Sequence, residues 1–332
     1  MPSYPLPSDF GIEVDQLRTA ARGLVRPECV LALASGELIT SHGRGGYSVV
    51  DASGHVRHVV ADAALGTHVA NGIALGPDGV VRFADLAESG GGVYAVWHTG
   101  EIYPELTEID GIPLPPTNFV TFEDETTMWL SVMTRTKPRW NAWRTSGGSG
   151  FIAVRDERGA RIVADGLGYT NEFAFSPDGR WVYVNETYAR RVSRYPRHEG
   201  NTLGDKEVVA QLSGGDIPDG LAFDAHGGLW VTCIGSNRLL VIRPDGDIQV
   251  IIDGSDPLHT KNVGDRLTQG TLTFEDMQSA GASLLANISS IAFGGPDRRT
   301  VYLGCLLGDS VRSFRVPVTG HELPHWNRSL AT

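Results

Sequence analysis

One phrase constrains this chain more than any other: Tyr169-Thr-Asn-Glu-Phe-Ala-Phe-Ser-Pro-Asp-Gly-Arg-Trp-Val-Tyr-Val-Asn185. A short apolar run, a Ser-Pro-Asp-Gly turn and a run of aromatic and β-branched residues follow one another, which reads as a β-hairpin. The phrase recurs from Asn71, Asn118 and Asp219, with looser copies from Glu28 and Ser289. Aligned on the first strand residue, each copy carries a polar side chain two positions upstream: Glu28, Asn71, Asn118, Asn171, Asp219 and Ser289. The intervals are 43, 47, 53, 48 and 70 residues. A period near 40 to 50 residues with several strands per unit predicts an all-β, six-bladed β-propeller, its longest interval carrying an insertion.

Because the repeats run nearly end to end, residues 1–332 read as one propeller domain. The 41 glycines and 18 prolines fit many short strands and turns. Residues 1–23 are expected to form a leader that adds an outer strand to the last blade and closes the ring. Residues 136–150, with two tryptophans, form an unusually long connection, and a long ordered loop in a compact domain is usually functional. Residues 254–285 read as an insertion before blade six, with a helical turn or two beginning at Phe274.

A formal charge of −11 with dispersed basic residues disfavours nucleic acid as a partner. No segment reaches the roughly 18 uninterrupted apolar residues of a membrane span. The first ten residues lack the basic start and apolar stretch of a signal peptide, so a cytoplasmic protein acting on a small molecule is expected. The oligomeric state stays open. Cys29, Cys233 and Cys305 are widely spaced and read as buried free thiols. No Gly-x-Ser-x-Gly elbow marks a serine nucleophile.

Since the first strand of every blade lines the channel of a propeller, the six polar positions are expected to face one another at one mouth. Glu28 and Asp219, with amide oxygens from Asn171 and Asn118, make a set of hard oxygen ligands. Such a set suits one divalent cation, calcium first, with magnesium, manganese or zinc as alternatives. A cation would also resolve the repulsion between two carboxylates in one channel. It could polarise a carbonyl while Asp219 accepts a proton. A polar residue ahead of a strand also satisfies backbone groups at a turn, and that is the simpler duty of any one of the six taken alone. The loops after the second strands would ring the same mouth. They place Trp140 and Trp143 over it as a lid and bring His42, Glu186 and Tyr188 within reach of a substrate.

Gly168 to Thr187, Pro218 to Val231 and Ile291-Ala-Phe-Gly-Gly-Pro-Asp297 resemble the SMP-30/gluconolactonase/luciferin-regenerating-enzyme family of six-bladed propellers, and the resemblance runs from about Leu24 to Val316. It implies a divalent metal on an acidic residue of blade one, Asn of blade four and Asp of blade five, which fall on Glu28, Asn171 and Asp219. It also implies hydrolysis of a lactone, with Asp219 as general base and Asn118 beside metal and substrate. Sugar-lactone members often carry Arg two residues before the blade-three Asn, where this chain has Pro116. The blade-one motif reads Glu28-Cys-Val, and the blade-six loop Gly304-Cys-Leu-Leu-Gly308 is apolar. These departures, with the tryptophans, point to a substrate less polar than a sugar lactone. Two alternatives stand beside this reading: a phosphotriesterase or arylesterase using the same metal, and a propeller that binds calcium without catalysis.

Overall fold

The computed structural model describes residues 4–62, 66–144 and 147–331. Residues 1–3 of the expected leader and 145–146 of the expected lid lie outside them. Six antiparallel sheets are arranged as the blades of a propeller. Their innermost strands are Val30–Ala32, Ala70–Leu75, Thr117–Phe122, Thr170–Phe175, Pro218–Phe223 and Ile288–Gly294. Each is followed by a hairpin partner in the same sheet, and the Pro-Asp-Gly phrases form the turns between them, as at Gly179 with φ 69°. Val, Ile, Phe and Trp side chains of adjacent blades fill the space between sheets. Trp129 and Trp230 in second strands are fully buried, and their indole N–H groups donate to Glu123 and Asp224 at 2.9 and 3.0 Å.

Blade six is completed from the other end of the chain. Arg18–Ala21 pairs antiparallel with Val311–Arg315, Arg18 opposite Ser313 and Thr19 opposite Arg312. This joins the two ends of the chain in one blade through backbone hydrogen bonds. Upstream of that strand, Leu6 is buried against blade five, where Ile12 N–H donates to Ile251 O at 2.7 Å.

Two segments cap the ring. The stretch before blade six holds a 13-residue helix, α1 (Pro257–Gln269), and a short one, α2 (Phe274–Met277). The sequence pattern announces only the second of these. Asp256 caps the start of α1 by accepting from Leu258 and His259 N–H, and Gly270 ends it at φ 69°. At the other face, residues after Val316 run across blades five, six, one and two: His321 N–H donates to Phe223 O, Ala34 N–H to Trp326 O, and Ala331 N–H to Gly79 O. No helix among the described residues is long and apolar enough to cross a membrane. The three cysteines are free and buried.

Candidate active site

Each ring residue but Glu28 sits at an irregularity. In five blades the pairing of innermost and second strands slips beside it: between Ala70 and Ile73, Thr117 and Phe119, Thr170 and Phe173, Pro218 and Leu221, and Ile288 and Ile291. Such a bulge re-aims side chains and leaves backbone groups without ladder partners. Neighbouring blades satisfy them. Asn185 Nδ2 donates to Asp219 O (2.9 Å) and Thr232 Oγ1 to Ser289 O (2.9 Å). Ser289 Oγ donates to Glu28 O (2.8 Å) and Asn71 Nδ2 to Asn118 O (3.0 Å). The blades approach so closely here that a Cβ on Gly220 would stand 2.3 Å from Ser289 O. Only glycine fits.

The six ring positions therefore divide. Asn71 and Ser289 are consumed in stitching blades together, and Asn71 also donates to Glu28 Oε1 at 2.9 Å. Asn171 Nδ2 donates to Asp219 Oδ1 and, at 3.0 Å, to Thr187 Oγ1. Its own Oδ1 accepts from Glu172 N–H at 2.9 Å. Left over are Glu28 Oε2, Asn118 Oδ1 and Asp219 Oδ2, each buried and without a hydrogen-bond partner. All three residues line one cavity of about 100 Å³ at the mouth. Buried oxygens cost free energy when unpaired, so three in one cavity mark a place built for something to bind. An oxygen-only set of this kind is one a divalent cation would satisfy. Among the described residues no group of three or more His, Cys, Asp or Glu is placed to hold a metal, so such an ion would rest on two carboxylates and on amide oxygens. For Asn171 to join, its amide would turn to present Oδ1 in place of Nδ2. The two ends of an amide are told apart only by their hydrogen bonds.

Charge tells the same story. Burial raises the Glu28 carboxyl to about 7, against the opposing effects of the Arg26 guanidinium and the Asn71 hydrogen bond. Burial, and then the Glu28 charge, holds Asp219 well above the usual carboxylate range. Glu172, just beneath the ring, is pushed well up by burial and by both of those carboxylates, and its Oε1 is also unpartnered. Three acids crowd a space where Arg26 is the compensating cation. Its guanidinium donates to Asn71 Oδ1 at 2.8 Å and Ala70 O at 3.3 Å.

The cavity is roofed by apolar side chains. Trp140 and Trp143 lie on a 3-10 turn, Arg139–Arg144, and pack with Tyr169, Tyr188, Met133 and Leu86. The rings of Trp143 and Tyr188 are 4.9 Å apart, and those of Tyr169 and Tyr188 4.3 Å. Burial pushes the Tyr169 phenol up to about 12 and that of Tyr188 well above its ordinary value. The Trp143 indole is buried beside both phenols. The other half of the roof is α2 and its neighbours: Phe274 stands 5.5 Å from Trp140, and Met277 is buried in the same cluster.

Of the expected site residues, Glu28, Asn118, Trp140, Trp143, Asn171, Tyr188 and Asp219 all reach this cavity. His42 and Glu186 do not, and their expected contact with substrate is corrected. Glu186 is fully buried at the end of its strand and accepts from Arg191, Ser193 and Gly168 N–H, so its charge serves to fasten blade four. His42 is fully buried within blade one, 5.2 Å from the His58 ring, and burial lowers it to about 4. Three lining residues, Arg26, Tyr169 and Arg139, do not stand out in the sequence. Arg26 and Tyr169 each stand two residues ahead of a ring position, at φ 50° and 72°. Non-glycine residues held in that region commonly mark a functional constraint. The available signal is the repeat register, two places upstream of the polar column.

A six-bladed propeller whose channel opens on a roofed nest of unpaired oxygens defines a class of small-molecule enzymes and binding proteins. Within that class, the chain belongs to the SMP-30/gluconolactonase/LRE-like family, whose pattern matches residues 86–256, just over half of it. It is 32% identical over 185 residues to 6-deoxy-6-sulfogluconolactonase of Pseudomonas putida, an alignment covering 55% of this chain and 51% of that protein. The chain thus matches about half the length of this curated relative. A shorter stretch of 84 residues is 34% identical to human serum paraoxonase/arylesterase 1, covering 25% and 23% of the two chains. In fold it is similar to regucalcin from Agrobacterium tumefaciens, described as a calcium-binding protein, with a TM-score of 0.68, 17% identity, and 96% and 99% of the two chains covered.

Proposed function

We propose that this protein is a divalent-cation-dependent lactonase that opens a small cyclic ester to a hydroxy acid. The observation that carries the reading is the convergence of Glu28 Oε2, Asn118 Oδ1 and Asp219 Oδ2 in one roofed cavity, in a chain whose family includes lactonases. Glu28, Asp219 and a turned Asn171 would hold the cation, which when bound supplies positive charge to polarise the ester carbonyl. Asn118 orients the substrate or a water through its free Oδ1. Asp219 Oδ2 is buried in the cavity without a hydrogen-bond partner, so it is the atom placed to take a proton from the attacking water. The water oxygen bonds to the carbonyl carbon, the acyl–oxygen bond breaks, and the proton on Asp219 passes to the departing ring oxygen as it becomes the alcohol. The tryptophans and tyrosines of the roof exclude bulk water and pack against the ring, which favours a compact substrate with an apolar face over one hydroxylated at every carbon. The three buried free thiols fit a reducing, cytoplasmic setting.

The test is turnover of a panel of γ- and δ-lactones, from sugar lactones to aliphatic ones, before and after chelation and after return of Ca²⁺, Mg²⁺, Mn²⁺ or Zn²⁺. Loss on chelation and recovery with one of the ions is expected. Full turnover after exhaustive chelation would refute the cation's role. The stretch shared with paraoxonase/arylesterase supports a second reading, hydrolysis of aryl esters or phosphotriesters at the same oxygens. Preference for those substrates over every lactone would select it. Ion binding with no turnover of any ester would select the calcium-binding propeller instead.

A further inference from the structure

The mouth cavity holds more than acids. Arg26 and Arg139 both line it, Arg26 from the approach to blade one and Arg139 from the roof turn after the second strand of blade three. Arg26 leaves the backbone at φ 50°, and its donors to Asn71 Oδ1 and Ala70 O fix the guanidinium plane beside the ring. Arg139 Nη1 donates to Leu86 O at 3.2 Å and to Glu88, which sits at the outer edge and is partly exposed. Both of these bonds use one nitrogen, Nη1, and Nη2 and Nε take no part in them. Arg26 faces the ring carboxylates and Arg139 pairs with Glu88, so of the two it is Arg139 whose Nη2 and Nε are left out of the bonds that hold it. An arginine fork with one edge available matches the paired oxygens of a carboxylate, sulfonate or phosphate.

From this geometry we infer that the substrate carries an anionic substituent, seated between Arg139 and Arg26 while the ester faces the oxygen nest below. The inference rests on the lactonase reading and narrows it to lactones bearing a carboxylate, sulfonate or phosphate. It also reconciles the apolar roof with a charged ligand: the ring packs under Trp143 and Tyr188, and the charge sits at the guanidiniums.

Two measurements test it. The first is turnover of matched pairs, γ-butyrolactone against its γ-carboxylate and its γ-sulfonatomethyl derivative, by the wild type and by Arg139→Gln and Arg139→Lys. Removing a charge-assisted hydrogen bond from a desolvated site weakens binding roughly tenfold to a hundredfold. Arg139→Gln should therefore lower kcat/KM for the anionic lactones by about that factor more than for the neutral one, mainly through KM, and Arg139→Lys should recover part of it. Equal effects on neutral and anionic members would overturn the inference while leaving the lactonase reading standing.

The second measurement needs no turnover: calorimetric binding of tetrahydrofuran-2-carboxylate, tetrahydrofuran-2-methanesulfonate and neutral tetrahydrofuran, none of which can be hydrolysed. Sulfonates are poor metal ligands, so sulfonate binding that weakens at least tenfold in Arg139→Gln reports the guanidinium and not a cation. Sulfonate binding no tighter than that of the neutral ether, or equal in wild type and variant, refutes the anion site. This holds even if no lactone is ever opened.

Discussion

The central channel is hollow at both ends, and the two hollows are built on opposite principles. The mouth cavity is small, about 100 Å³, and is walled by carboxylates, amides and two arginines beneath an aromatic roof. At the far end the channel widens to about 610 Å³, lined by apolar residues of the innermost strands, among them Ile73, Phe173 and Phe293, and strapped by the segment around Trp326. Size alone would favour the larger hollow as the working site. Unpaired polarity favours the smaller, because Glu28, Asn118 and Asp219 each leave a buried oxygen without a partner there and together make an oxygen-only set, whereas the far end has one such oxygen, on Glu172 at its inner limit, and one nitrogen, on Arg197. A space left over by packing has satisfied or apolar walls. A site under selection for chemistry carries groups that cost stability until the ligand arrives.

The sharpest way to break the contrast is to remove one oxygen from the mouth. Asp219→Asn keeps the shape of the side chain but removes its basicity and half of the acid pair. Turnover should fall about 10²–10⁴-fold, the usual contribution of a positioned general base, with the far-UV spectrum and thermal transition retained. A variant within a few-fold of wild type would move the base elsewhere and dissolve the distinction between the two ends.

The counterpart at the strap should do the reverse. Trp326 is 8% exposed and packs in the cluster of Leu24, Ala32 and Val50, with the Arg298 guanidinium over its ring at 5.6 Å. Trp326→Ala is expected to cost about 3 kcal/mol, seen as a fall in Tm or in denaturant midpoint, while kcat/KM per folded molecule is kept. A large loss of turnover without loss of stability would show that the far end takes part in the chemistry.

This contrast is partly legible in the sequence. The hairpin phrase dictates local structure strongly, and its period counts the blades, so the ring of six polar positions emerges from register alone. Which of the six are spent on stitching is not legible. Asn71 and Ser289 look like the others in one dimension, and their fate depends on carbonyls freed by bulges in the next blade. The roof is half legible: two tryptophans in a long loop announce it, but α2 reaches the same cavity only through the fold. His42 and Glu186 fail for one reason. A loop or strand end near a mouth says nothing of whether its side chain turns toward the channel or into its own sheet. Arg139 is hidden because nothing in the sequence shows that the roof turn brings it to the cavity beside Arg26.

The subtlest difference between the ends is the sign of their response to pH, expected to be worth a few degrees of Tm. At the mouth of the cation-free protein, burial raises Glu28 to about 7, and burial with the Glu28 charge raises Asp219 and Glu172. An acid whose folded pKa is raised contributes stability below its unfolded pKa and loses it as pH rises through the folded value, so this end weakens from about pH 5 toward 8. At the strap, burial first and then Arg328 lower His325 to about 4, and burial and then Arg298 lower His321. A depressed imidazole contributes stability above its unfolded pKa and loses it as pH falls, so that end weakens from about pH 6.5 toward 4. His325 keeps partial exposure to solvent, which softens the effect. Buried His42 adds to the same acid limb from blade one. Tm measured from pH 4 to 9 in chelator should therefore show a maximum, with His325→Gln flattening only the acid side. A bound divalent cation keeps the mouth carboxylates ionised, and its return should lift the alkaline side while leaving the acid side in place. An alkaline limb indifferent to cation would mean that the three unpaired oxygens do not bind one, and the contrast between the ends would then rest on packing alone.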